Sequence, residues 1–177
     1  DLTSEQESIA KKYGGVYVFD EKLEKEIDNR EEERRIMTKG LSGKKLAENR
    51  YAVDMTPVNE KLPRVLSNGK RYYSRKDNIK IDNYKILNNY EEKLKEFMGK
   101  DYDKYENYLS INLGYFYIDN DTIIPISIGV STLYTEVTFG LYGDEASGIK
   151  FTKESTQRLI GDNKFYLADN KFQKINK

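Results

Sequence analysis

The stretch LSINLGYFYIDNDTIIPISIGVSTLYTEVTFGLY, Leu109 to Tyr142, gathers β-branched and aromatic residues in the rhythm of a sheet. Leu109, Ile111, Leu113, Tyr115 and Tyr117 fall at every second position, followed by Ile124, Ile126, Ile128 and Val130, then by Leu133, Val137, Phe139 and Leu141. A period of two is the strand signal, because successive side chains alternate between the faces of a sheet. Asp119-Asn120-Asp121 separates the first two runs, and short polar side chains of this kind tolerate left-handed backbone. With Asn120 and Asp121 as the loop, Tyr117 faces Ile124, Tyr115 faces Ile126 and Leu113 faces Ile128. Pro125 then lies opposite Phe116 at a non-hydrogen-bonded pair, where its missing donor costs the hairpin nothing. It limits pairing on the other side, so this reading makes that strand an edge and leaves a free edge near Tyr115 and Tyr117 for a partner.

Outward from that core, a second turn signal stands in LPRVLSNGKRYYSRK. Asn68-Gly69 is the pair a two-residue type I′ turn asks for. In that register Leu66 pairs Arg71, Val65 pairs Tyr72 and Arg64 pairs Tyr73. Leu62, Arg64, Leu66, Arg71, Tyr73 and Arg75 then share one face, and Val65, Tyr72 and Ser74 the other. A third hairpin is expected in KFYLA-DN-KFQKI at the end of the chain. Among helices, Ser4 to Tyr13 is closed by Gly14-Gly15. Asp20 caps the polar segment EKLEKEIDNREEERRIMTK, whose apolar positions are sparse enough to predict a largely solvated helix. Asn89 with Glu92 opens a helix carrying Tyr90, Leu94, Phe97 and Met98 on one stripe, stopped by Gly99. Asp101 is expected to cap a short helix with Tyr102, Tyr105 and Tyr108, and Thr152 another one through Leu159. Val16 to Phe19 is long enough to join a sheet at its edge, and Ile79, Ile81 and Tyr84 suggest a further strand.

The architecture expected is α+β: a mostly antiparallel sheet of hairpins with short packing helices. Residues 1–50 form a polar helical segment packed on a core of residues 51–177. At 177 residues the chain is long enough for a core without disulfides or a structural metal. A mean hydropathy of −0.82 fits polar helices around a modest sheet.

The chain has no Cys, His or Trp. Thiol nucleophiles, imidazole bases and most transition-metal sites are thereby excluded, and catalysis would rest on carboxylates, Lys, Tyr, Ser or Thr. No catalytic residue, metal ligand or cofactor is assigned. GLSGKK at 40–45 lacks the four-residue spacing and the hydroxyl of a phosphate-binding loop. Asp119 with Asp121 sits where a turn expects Asp anyway, without the glycine and distal glutamate of a calcium loop.

Formal net charge is zero, yet residues 61–86 are strongly basic and residues 101–145 strongly acidic. The expectation is that these segments neutralise each other, and a polyanion-binding face is the alternative. Candidate binding residues are Arg64, Lys70, Arg71, Tyr73, Arg75 and Lys76 on the basic hairpin, with Tyr115 and Tyr117 from the central strands. Guanidinium groups beside an aromatic ring suit phosphate, carboxylate or a stacked base. Tyrosine, present 15 times, is a good contact residue for protein partners and sugars. The function these features favour is a non-enzymatic module that binds a protein partner or a cell-surface ligand, as an exported protein or an inhibitor or immunity-type partner of bacterial or phage origin would. A polyanion or nucleic-acid binder using residues 61–86 is the second reading, and a carboxylate-based hydrolase the third. The cysteine-free composition and a first residue other than Met favour a secreted or membrane-tethered location over the cytoplasm.

Overall fold

A computed structural model describes residues 2–41, 44–47, 50–87, 89–141 and 150–174. Its elements run α1 (Leu2–Tyr13), β1 (Gly15–Val18), α2 (Glu21–Lys39), β2 (Lys44–Ala47), β3 (Arg50–Ala52), α3 (Thr56–Lys61), β4 (Tyr72–Tyr73) and β5 (Lys85–Ile86). They continue with α4 (Asn89–Met98), α5 (Lys100–Tyr105), β6 (Leu109–Leu113), β7 (Phe116–Asp119), β8 (Thr122–Pro125), β9 (Ser127–Leu141), β10 (Lys150–Ile160), β11 (Asn163–Ala168) and β12 (Lys171–Lys174). The fold is α+β with mostly antiparallel sheets. It divides into two compact units, each drawn from separate stretches of chain. The first takes Asp1–Tyr17, Asn89–Asn112 and Ile128–Lys177, and the second takes Val18–Asn88 and Leu113–Ser127.

The first unit is built on a sheet of order β10-β9-β1-β11-β12, with β6 also pairing β9. The short strand β1, expected at an edge, lies inside this sheet between β9 and β11, with Tyr17 and Val18 fully buried and Val16 on the face open to solvent. The Tyr17 ring stacks on Phe165 at 4.5 Å and meets Phe172 edge-on at 5.0 Å and Phe97 at 5.9 Å. Leu94 and Met98 bury the stripe expected on α4. Entry into β1 depends on Gly15, at φ +145, where a Cβ would lie 1.9 Å from the Asn163 carbonyl oxygen. The Asn163 side chain donates to the carbonyls of Lys11 (2.7 Å) and Gly14 (2.9 Å), closing the end of α1.

Two further local expectations fail in this unit. Residues 152–159 are not a helix but belong to β10, paired with β9 from Lys150↔Leu141 to Ile160↔Ser131. The long ladder satisfies every second backbone group of an 11-residue segment whose own periodicity is weak, and such tertiary pairing overrides local preference. Asp101 does not cap α5, whose N-cap is Gly99 without a side-chain bond. The Asp101 carboxylate instead accepts from Tyr13 Oη (2.5 Å) and Lys12 Nζ (3.4 Å). The C-terminal hairpin forms as expected, with Asp169 and Asn170 at φ 50 and 67 and Ala168 opposite Lys171.

The second unit holds a sheet of order β4-β7-β8-β5 and the ribbon β2-β3. The β7-β8 hairpin has the expected register, Tyr117↔Ile124 and Phe116↔Pro125, with Asn120 and Asp121 at φ 47 and 58. Its outer edges are not free. β4 pairs β7 through Tyr72↔Tyr117 and Tyr73↔Phe116, so the edge expected near Tyr115 and Tyr117 is covered. β5 pairs β8 in parallel, Lys85↔Thr122 and Ile86↔Ile123, and Leu87 N donates to Ile123 O (3.0 Å). The next donor in that ladder would be residue 125, and proline has none, so Pro125 ends the pairing rather than preventing it. Ile79, Ile81 and Tyr84 make no strand; Ile81–Asn83 is a single 3-10 turn leading into β5.

Asp20 caps α2 as expected, its Oδ1 accepting from Leu23 N (3.0 Å). More than half of the helix is exposed, as expected, while Leu23, Glu24, Ile27 and Arg34 are buried. Leu23 and Ile27 join Leu66, Tyr72 and Ile126 in one core cluster, with Tyr115 and Tyr117 packed against it. The buried stripe continues down the helix at helical spacing, but with polar residues. Of the remaining expectations, the loop at 143–148, residues Ser42 and Gly43, and the Asn89 side chain lie outside the described residues.

Candidate functional site

The basic hairpin is where the structure rearranges the expected site. Leu66 N donates to Lys70 O (2.8 Å), Tyr72 N donates to Arg64 O (3.1 Å), and Val65 bridges Arg71. The loop therefore has three residues, Ser67-Asn68-Gly69, rather than two. Only Gly69 has positive φ, at 82, which is the pattern of a type I turn closed by a left-handed residue. Side chains hold it: Asn68 Oδ1 accepts from Lys70 N (2.9 Å), and the Glu26 carboxylate accepts both Ser67 N and Ser67 Oγ at 2.7 Å.

One extra loop residue exchanges the faces of the returning strand. Tyr72, 2% exposed, now lies inside with Leu66 and Arg64, while Arg71 and Tyr73 lie outside with Val65. The arginines expected together are parted. Arg64 is ion-paired on the inner side to Glu31, Nη2 to Oε1 at 2.9 Å and Nε 3.1 Å from both oxygens. Tyr72 Oη donates to the same carboxylate at 3.0 Å. Burial alone would raise the Glu31 carboxyl, but the hydrogen bonds from Arg64 and Tyr72 and the charges of Arg64 and Arg34 outweigh it and hold it below its ordinary value. Burial, with Glu31 beside it, pushes the Tyr72 phenol well above the usual tyrosine range. Tyr115 and Tyr117 are half-buried against the same core, Tyr115 meeting Tyr72 edge-on at 6.2 Å.

On the outer side the Arg71 guanidinium sits 4.5 Å over the Tyr73 ring, which in turn stacks on Phe116 at 5.7 Å. Arg71 Nη2 is 3.6 Å from Asp77 Oδ1. Asp77 closes the following turn through Ser74 N (2.8 Å), leaving Arg75 and Lys76 exposed at its tip. Lys70 reaches Asp119 of the neighbouring hairpin at 3.1 Å, which engages the one acidic residue of the Asp119-Asp121 pair closest to it. Among the described residues, the ion pairs of the basic segment thus run from Arg64 to Glu31 of α2, from Arg71 to Asp77 of the segment itself and from Lys70 to Asp119 of the later acidic segment.

Sequence reasoning passed over Glu31 and Arg34. Their signal was present: 23, 27, 31, 34 and 38 continue one helical stripe, with polar residues replacing apolar ones in the second half. Arg34 is 4% exposed and donates through Nη1 to Leu62 O (2.6 Å) and through Nη2 to Asn59 Oδ1 (2.7 Å), fastening α3 to α2. Among the described residues, no helix is long and apolar enough to cross a membrane and no three acidic side chains cluster in a way that could hold a metal. No protein-family model, curated protein or solved structure matches the chain.

Proposed function

We propose that the protein is a binding module that recognises a protein partner without catalysing a reaction, and that the outer face of residues 64–77 is its contact surface. One observation carries this reading: the guanidinium of Arg71 laid over Tyr73, with Val65 44% exposed and Arg75 and Lys76 alongside. Tyr73 is held by Phe116 and Arg71 by Asp77, so an arginine and an aromatic ring are offered with little freedom left to lose on binding. The second reading, a polyanion binder, is less favoured because the basic hairpin presents no continuous cationic face: Arg64 turns inward to Glu31, while Lys70 and Arg71 on the outside each face a carboxylate. A secreted or membrane-tethered location remains part of the proposal, as the setting in which such a module meets its partner.

A photo-reactive residue at position 65, expressed in the source cells, should give one discrete protein adduct. That adduct should disappear in the Arg71→Ala, Arg75→Ala double variant, and the same probe at the exposed Ile36 should not form it. Absence of any adduct, together with heparin retention that collapses as salt is raised, would replace this reading with the polyanion one.

A further inference from the structure

The polar second half of α2, where Arg34 is buried and Glu31 and Thr38 are half-buried, opens onto a groove of about 340 Å³ lined by Glu31, Arg34, Arg35, Thr38, Lys39, Met55 and Arg64. Its chemistry is unbalanced. Arg34 is buried, and its hydrogen bonds go to neutral groups, the carbonyl of Leu62 and the amide of Asn59, which orient a guanidinium without matching its charge. The one carboxylate on its inner side, Glu31, stands 3.7 Å from Arg34 Nε and already takes Arg64 through both oxygens and Tyr72 Oη besides. Two guanidinium groups therefore share one carboxylate. A buried cation with less than a full counter-charge costs folding free energy unless another anion reaches it.

The rim adds to the imbalance. Arg35 is held by Glu32 (2.7 and 2.5 Å), and Lys39, exposed at the end of the helix, acts on that same Glu32. The nearby Asp54 is turned to Thr56 N (3.0 Å). Four cations thus line the groove beside two carboxylates of the same helix, Glu31 and Glu32, with Asp77 acting on Arg64 from further away. Met55 supplies an apolar wall, and the Thr38 hydroxyl is spent on Arg34 O (2.7 Å).

From this geometry we infer that the groove binds a phosphate monoester, its dianionic head against Arg34 and Arg64, which share one carboxylate, and against the exposed Lys39, with its organic group against Met55. A carboxylate would cancel half of the surplus and offers acceptors in one plane, whereas a phosphate presents three oxygens to donors arriving from α2 and from Arg64. The groove shares no side chain with the outer hairpin face, so either proposal can fail without the other.

The test uses phenyl phosphate as probe on the whole chain, at about 0.15 M ionic strength to screen loose surface attraction. Backbone amide shifts of Thr38, Lys39 and Met55 should move saturably with phenyl phosphate, less with inorganic phosphate, and not with acetate. Lys39→Glu, an exposed substitution, should weaken binding by roughly tenfold or more, while the unliganded chain stays folded with a slightly lowered melting temperature from the reversed charge in the last turn of α2. Lys25→Glu on the same helix, at an exposed pair with Glu21, should not. A phosphotyrosine peptide binding more tightly than phenyl phosphate would identify a phosphorylated protein as the source, and equal binding a free small ester. No saturable shift, equal binding of acetate, or an unaffected Lys39→Glu variant would overturn the inference.

Discussion

The two hairpins of the second unit carry similar turn signals and solve them differently. Asn120-Asp121 forms a two-residue loop in which both residues take positive φ, without a glycine. Ser67-Asn68-Gly69 forms a three-residue loop in which only the glycine does, although Asn68-Gly69 is the better two-residue sequence. What separates them lies outside the loops. In the shorter register Arg71 would enter the core beside Leu66 and Tyr72 would leave it, exchanging a large aromatic residue for an unmatched charge. With three residues Tyr72 is buried and Glu26 receives the loop's Ser67. A turn sequence locates a hairpin, and the packing of its strands chooses the register.

Deletion of Ser67 should test that contrast most severely. It imposes the two-residue loop, and either the cooperative urea transition is lost or Tyr72 becomes accessible to nitration; a fully stable variant with Tyr72 still protected would mean that the core does not set the register. Next in size is acid sensitivity through Glu31. Its carboxyl is lowered in the folded protein, so its contribution is present above the unfolded value of about 4.3 and is lost as pH falls through the folded value. Urea midpoints should therefore drop below about pH 4, and Glu31→Gln, already weaker at neutral pH, should drop less steeply.

Gly69→Ala should cost about 1 kcal/mol in urea denaturation, through backbone strain alone, since a Cβ there meets nothing within 4 Å. Asp121→Gly should act in the opposite direction by a few tenths of a kcal/mol, because it relieves a left-handed residue in a loop that needs one. Equal signs for these two substitutions would erase the distinction between the loops.

Much of the fold could be read where chemistry is local. The hairpins at Asn120-Asp121 and Asp169-Asn170, the bounds of α2 and the stripe of Leu94 and Met98 all follow from turn residues, caps and spacing. What escaped depends on distant partners. Residues 152–159 have a threonine where a helix cap belongs, and only pairing with β9 makes them a strand. The candidate site was legible as a set of residue types but not as a surface, because a single loop residue decides whether Arg64 and Arg71 point the same way. Glu31 and Arg34 read as ordinary members of a charged helix, because only the packing of α3 and the hairpin buries Arg34 and half-buries Glu31.

The place of β1 between β9 and β11 bears on how the chain is made. Its four residues leave the ribosome well before the strands on both sides of it, which begin at Ser127 and Asn163. The second unit is complete once residue 127 has emerged, whereas Tyr17 must wait for Phe165 and Phe172 before its ring is covered. Vectorial synthesis thus lets the second unit close before the first, with a sticky aromatic segment held open until its later partner strands emerge.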